Sequence, residues 1–177
     1  PSLRAFSMMS AKHWIEVFND PISLLSLKNS VFLGVIGASL GALLSIFVAY
    51  VIVKVRTRGA GILESLSFLS FSFPGIVIGV GFMWFFVRTP LYATIWALLI
   101  GYIATYLPYG MRPLISVFVQ IHSHLEESSR VCGAGTLATL RRIVIPLLVP
   151  GVVSGWSLMA NSLLRDLTIS VLLTKPV

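Results

Sequence analysis

The sequence predicts an all-α protein whose helices cross a lipid membrane. Of its 177 residues, 56% are hydrophobic and 11% are charged, with a mean hydropathy of +0.94, whereas an ordinary soluble domain is about 25% charged. Four stretches contain no Asp, Glu, Lys or Arg and have the length of about 20 residues that a helix needs to cross roughly 30 Å of hydrocarbon. We therefore expect a polytopic helical core with lipid around most of the chain.

The amino-terminal segment, residues 1–30, is expected to approach the membrane from the outside as an amphipathic piece. A membrane domain of residues 31–173 follows it. The sequence does not begin with Met and ends abruptly after Lys175. We therefore expect an excerpt of a longer protein.

The first two expected spans are residues 31–53 and 65–87. Glycines at one side of the first span favour close packing against another helix: Gly34, Gly37 and Gly41. Pro74 removes a backbone hydrogen bond from the second stretch. That stretch is therefore expected to divide into an interfacial piece, residues 62–73, and a span from Pro74 to about residue 87.

The third and fourth expected spans are residues 89–111 and 143–164. Seven of the thirteen Lys and Arg residues lie in the loops before the second span and before the fourth: Lys54, Arg56, Arg58, Arg112, Arg130, Arg141 and Arg142. Because loops rich in Lys and Arg stay in the cytoplasm, both loops are expected there and both ends of the chain outside.

The loop before the fourth span, residues 112–146, predicts a helix-turn-helix at the cytoplasmic surface. Ser123 and Glu126 have the spacing of a capping box, so a helix is expected to begin near His124. Gly133 is expected to end it.

The second helix of this loop is expected to begin at Leu137, after Gly135 and a capping Thr136. Its last turn would contain Arg141 and Arg142, whose charge is favourable at a helix carboxyl end.

Seven residues of this loop stand in one spaced pattern: Glu127, Ser128, Ser129, Gly133, Ile143, Ile145 and Pro146. The pattern resembles, in unbroken register, a signature that reads E-A-A, three residues, G, nine residues, I-x-L-P. That signature is typical of inner-membrane permeases of binding-protein-dependent ABC importers. Ser replaces both Ala residues and Ile replaces Leu, which preserves small size and apolar character. Residues 73–77 and 107–112 look most like ferric-iron-type permeases, with polyamine and phosphonate permeases next.

The resemblance implies a permease subunit of an ATP-driven importer in the bacterial inner membrane, with four of about five family spans present. Its cargo would be a small periplasmic solute, ferric iron first. The implied partners are ATPase subunits, a periplasmic binding protein and a second permease half, either a copy or a fused homologous half. ATP would be bound by the ATPase, so this chain is expected to bind no cofactor.

The resemblance also implies roles for the signature residues. Glu127 would supply a charged contact in a cleft of the ATPase. Ser128 and Ser129 would allow close docking, and Gly133 would allow a sharp turn.

Other functions are disfavoured by the sequence. It contains no G-x-x-x-x-G-K-[ST], G-x-S-x-G or H-E-x-x-H motif, so no catalytic residue is expected. His122 and His124 lie near two glutamates, but in the same loop as the signature, so we expect no metal site. The net charge is +7, and the basic residues are distributed by membrane side. This distribution favours anionic lipid over nucleic acid as a partner. The single cysteine, Cys132, is expected to be a small apolar residue.

Two further alternatives are a membrane scaffold and a transporter driven by an ion gradient. Isolation of an ATPase together with the chain would favour an ABC permease, and its absence would favour these alternatives. The four stretches lack ionisable residues at mid-membrane, which disfavours the ion-driven transporter.

Arg165 and Asp166 interrupt an apolar stretch where the fourth span should end. One interpretation is that Arg165 extends to the outer interface and Asp166 follows it. The other is that the span breaks near Asn161, which would leave these residues at the outer mouth of a translocation path. There they would contact the binding protein or the cargo.

Overall fold

The computed structural model describes residues 17–55, 58–121 and 123–174, without the side chains of residues 123, 124, 126 and 130. Within these ranges all regular structure is helical, so the all-α prediction is confirmed. The helices are α1 (Pro21–Tyr50), α2 (Ala60–Phe68), α3 (Gly75–Phe86), α4 (Ile95–Gln120), α5 (Ser123–Val131), α6 (Thr136–Thr139), α7 (Ile145–Arg165) and α8 (Thr168–Leu173). Val51–Val55 and Leu140–Val144 are π-helical, and Leu69–Ser72 is a 3₁₀ turn.

The chain divides into two compact units, residues 1–32 and 33–177. In the first unit, Asp20 caps the start of α1. The Ser23 amide donates to Asp20 Oδ2 at 2.9 Å and the Ser23 hydroxyl at 2.6 Å, and the hydroxyl bond is the main reason that the pKa of Asp20 lies below its usual value. Pro21 is well suited to the first helical position, where its missing amide is not needed. The helix therefore begins at residue 21, about ten residues before the expected span.

Among the residues that the structure describes, two helical runs are long and apolar enough to cross a membrane: Pro21–Val55 and Thr136–Arg165. A third candidate is a bent pair, Ala60–Ser72 and Gly75–Phe86, with an angle of 108° between its halves. The break lies at Phe73 and Pro74, where the sequence predicts it. Proline disfavours a helical conformation of the residue before it, and Phe73 is extended.

The third expected span corresponds to α4, which differs from the prediction in both bounds. Its 26 residues are enough for a crossing, but tyrosines, two internal prolines and Arg112 reduce its apolar character. Thr94 caps its start. The helix continues to Gln120, so residues 112–120, expected in a loop, are helical because Leu114 and Phe118 are buried against neighbouring helices.

Glycines bring the second unit's helices close together, as predicted. A methyl group at Gly34, Gly37 or Gly41 of α1 would collide with side chains of α7. Along the same face of α7, a Cβ at Gly155 would lie 2.8 Å from the Gly110 carbonyl oxygen of α4. Close backbone approach at small residues is typical of membrane helices.

The second helix of the predicted helix-turn-helix does not end at Arg142. It continues through Leu140–Val144 into α7, and Gly135 instead of Thr136 occupies the capping position. Pro146 cannot donate a helical hydrogen bond and its ring crowds the preceding turn. The wider π-helical turn accommodates this proline without ending the helix.

Candidate functional site

The helix-turn-helix at residues 123–144 contains the first part of the signature. Helix α5 contains Glu127, Ser128 and Ser129, of which the first two are exposed. Cys132 is also exposed. His122 and the side chains of Ser123, His124 and Glu126 lie outside the description, so the predicted capping box and the histidine pair are not described.

Gly133 ends α5 as predicted. Its φ of +84° lies in the left-handed region that favours glycine. The Ala134 amide donates to the Ser129 carbonyl oxygen at 3.0 Å, which forms a Schellman turn and satisfies a carbonyl at the helix end. A Cβ at Gly133 would meet no atom within 4 Å, so only the backbone conformation requires glycine here.

Ser129 faces the second helix of the pair. Its hydroxyl lies 2.9 Å from the hydroxyl of Thr139, and Thr139 also donates to the Gly135 carbonyl oxygen at 3.2 Å. Thr139 is only 5% exposed. Ser129 therefore joins α5 to α6, whereas the sequence suggested a docking role. The partner Thr139 was missed because nothing in the sequence links it to residue 129.

The second part of the signature lies where the π-helical turn joins α7. Ile143 is half-buried, and Ile145 and Pro146 are exposed. The buried residue of this segment is Val144, which packs with Leu148 against the end of α4. The apolar signature positions thus flank the residue that anchors the loop.

A second candidate site is a polar pocket of about 510 Å³ between α4 and the end of α7. All three residues predicted for a translocation path line it, together with two tyrosines: Asn161, Arg165, Asp166, Tyr106 and Tyr109. The structure thus brings the three residues to one pocket, and their role in a translocation path stays a prediction.

The break in the fourth span lies at Asp166 and Leu167, not near Asn161. Helix α7 ends at Arg165 and α8 begins at Thr168. The Asp166 carboxylate accepts a hydrogen bond from the Tyr106 hydroxyl at 2.6 Å and another from the Ile169 amide at 2.9 Å. This carboxylate therefore joins α8 to α4, so Asp166 does not simply follow Arg165 to the interface.

Tyrosines of α4 determine the depth of the pocket. Tyr102 contacts the Ser170 hydroxyl at 2.5 Å, and Tyr106 contacts Asp166. They lie seven and eleven residues after the start of α4 at Ile95, or about 10–16 Å along the helix at 1.5 Å per residue. The pocket residues Tyr106 and Tyr109 thus lie near the middle of α4, and the position of the pocket at an outer mouth stays a prediction.

Tyr109 connects the pocket to the bend between α2 and α3. Its ring meets the Phe71 ring edge-on, with centroids 5.0 Å apart. The Arg112 guanidinium lies 5.2 Å from the Phe71 centroid and 5.5 Å from the Phe68 centroid, within the range of a cation–π contact. This cluster was not predicted from the sequence, although Tyr102, Tyr106 and Tyr109 recur at the spacing of one helix face.

Comparisons with known proteins agree with the signature. The family described as binding-protein-dependent transport system inner membrane component matches residues 41–176. The spermidine/putrescine transport system permease protein PotC of Haemophilus influenzae is 28% identical over 159 residues, which cover 89% of this chain and 62% of that protein. PotC of Escherichia coli K12 is 24% identical over 94% of this chain and 63% of its own length.

A ferric relative is similar over a smaller share of its length. The ferric transport system permease protein FbpB of Actinobacillus pleuropneumoniae is 34% identical over 145 residues, or 81% of this chain and 21% of that protein. The chain thus spans about three fifths of the PotC relatives and about a fifth of this FbpB.

Proposed function

The chain belongs to the binding-protein-dependent transport system inner membrane component family, and from that premise we propose that it is a permease subunit of an ATP-driven importer. The observation that carries this proposal is the turned helix pair α5 and α6. It presents Glu127 and Ser128 on an exposed surface, while Ser129 and Gly133 fix the turn behind them. A rigid, exposed helix of this kind is suited to insertion into a cleft of a partner.

That partner is a separate ATPase subunit, which binds ATP on the cytoplasmic side. ATP hydrolysis moves α5, and because α6 continues without a break into α7, the movement reaches the membrane. A second permease half and a periplasmic binding protein complete the importer. Together they alternate between inward-open and outward-open states.

The polar pocket is part of the solute path. It lies beside Tyr106 and at the end of α7, so tilting of α7 changes its shape. Asn161 and Arg165 are exposed and line it, so Asn161 can contact a passing solute and Arg165 can contact the docked binding protein. Asp166 holds the wall of the pocket in place through its bonds to α4 and α8.

The cargo is a small cation, with ferric iron as the first candidate and a polyamine as the second. Relatives named as ferric permeases and as spermidine/putrescine permeases both support a cationic solute. The candidates differ in chemistry, since ferric iron needs hard oxygen ligands and a polyamine needs carboxylates spaced along a chain.

Uptake by cells that lack the gene tests this proposal. Restoring the full protein should restore accumulation of radioactive ferric iron, and excess spermidine should not compete. A Glu127→Lys variant that inserts in the membrane should fail to restore it, because the reversed charge disrupts docking of the ATPase. If the protein restores uptake of spermidine but not of ferric iron, the cargo is a polyamine. If it restores uptake of neither solute, the proposal of a cationic cargo is contradicted.

A further inference from the structure

Lys54 joins α1, the first membrane helix, to the start of the segment that contains α5 and α6, residues 121–144, which we name the coupling loop. It belongs to the π-helical turn Val51–Val55 that extends α1, and its side chain is half-buried. Its ammonium group donates a hydrogen bond to the carbonyl oxygen of Ile121 at 2.9 Å. A lysine near the membrane surface normally extends its charge into water. Here the charge is directed at a backbone atom 67 residues away in the sequence.

Ile121 is the residue at which α4 ends. Its backbone is extended, with φ of −80° and ψ of 91°, and its side chain is 5% exposed. The last carbonyl groups of a helix lack intrahelical donors and have partial negative charge, so a cation is favourable there. Helix α5 begins at Ser123, two residues later.

The apolar contacts around this bond make the junction compact. Ala49 of α1 packs in one buried cluster with Leu114 and Phe118 of α4 and Val144 before α7. The Tyr50 and Phe118 rings meet edge-on, with centroids 6.0 Å apart. Three helices therefore meet at the base of the coupling loop, and the bond from Lys54 adds a polar contact at the point where α5 departs.

We propose that Lys54 is a positioning residue that couples movement of α5 to the first membrane helix. This inference rests on the proposed function. When the ATPase displaces α5, this movement exerts a force on residue 121. The charge-assisted hydrogen bond from Lys54 transmits the force to α1. Without the bond, α5 moves relative to α1, and the signal reaches the membrane through α4 and α7 but not through α1.

The test is the ATPase rate of the purified complex, measured with and without the binding protein encoded beside the permease gene. Lys54→Met keeps the apolar stem and removes the donor, so the ratio of stimulated to basal rate should fall by about tenfold, as expected for loss of one charge-assisted hydrogen bond. Lys54→Arg keeps a charged donor and should restore most of the ratio.

Arg58→Met is the matched control. It removes one positive charge from the same loop, and Arg58 is exposed. It should leave the ratio unchanged, which separates the bond from general loss of cytoplasmic charge. Equal ratios for the original protein and Lys54→Met would overturn the inference. So would a Lys54→Met complex that fails to assemble while Arg58→Met assembles, since the bond would then serve folding alone. An original complex without ATPase activity would instead contradict the proposed function.

Discussion

Asp166 shows how a charged residue inside a membrane protein can serve structure. Both of its carboxylate oxygens are engaged, one by the Tyr106 hydroxyl and one by the amide of Ile169 at the start of α8. A charge at membrane depth normally needs such partners. The Asp166 side chain thus stabilises the break between α7, which ends at Arg165, and α8.

The first prediction separates this positioning role from direct contact with the cargo. Asp166→Ala removes the cap of α8 and leaves the Tyr106 hydroxyl without its acceptor, which weakens docking of α8 by about 2 kcal/mol. Solute uptake should therefore fall several-fold. Asp166→Asn retains a capping oxygen and an amide that can donate to Tyr106, so uptake should stay near the original rate. If the Asn variant is as inactive as the Ala variant, the negative charge itself is required.

The sequence predicted part of this pocket. Asn161, Arg165 and Asp166 were identified because polar residues stand out in an apolar stretch. The tyrosines were not, because a tyrosine is unexceptional in a membrane helix. The hydroxyls of Tyr102 and Tyr106 become informative only when the fold brings them to Asp166 and Ser170, and those contacts are distant in sequence.

At the scale of elements, the turn between α5 and α6 contains two glycines with different requirements. Gly133 has a φ of +84°, whereas Gly135 has φ of −69° and ψ of 161°, which any residue can adopt. Neither has an atom within 4 Å of an added Cβ. The two sites therefore differ in backbone strain and not in available space.

The second prediction compares valine at these two positions. In the left-handed region a side chain costs roughly 1–2 kcal/mol, and a β-branched one is less tolerated still. Gly133→Val should therefore distort the turn and abolish uptake, while immunoblots of membranes show normal amounts. Gly135→Val should transport normally. If both variants restore uptake equally, the turn at Gly133 is not required for coupling.

The boundaries of the elements could be predicted where a single proline or glycine determines the backbone conformation. Pro74 marked the break in the second span, and Gly133 marked the end of α5. Predictions were wrong where signals competed. Asp20 and Pro21 start α1 earlier than the charge-free stretch begins, since a cap outweighs the single charge of Lys28. Arg141 and Arg142 suggested a helix end, but the π-helical turn before Pro146 allowed continuation.

At the scale of the molecule, the two basic loops were expected on one side of the membrane. The hydrogen bond between Lys54 and Ile121 is consistent with this, because it joins the end of the first span to the start of the second basic loop. The segment with Leu91 lies at the other end of α4. Counts of Lys and Arg predicted this pairing, whereas the contact itself could not be read from the sequence.

Cross-linking between α5 and the ATPase tests the central claim most directly. In a Cys132→Ser background, Ser128→Cys places a thiol on the exposed face of α5, and Leu91→Cys places one at the opposite end of α4 as a control. After treatment of membranes with a short reagent that couples to a thiol at one end and is photoreactive at the other, illumination should join Ser128→Cys to an ATP-binding subunit, with a yield that changes when ATP is added. Leu91→Cys should form none. A conjugate from Leu91→Cys, or the absence of one from a Ser128→Cys protein that still transports, would contradict the account.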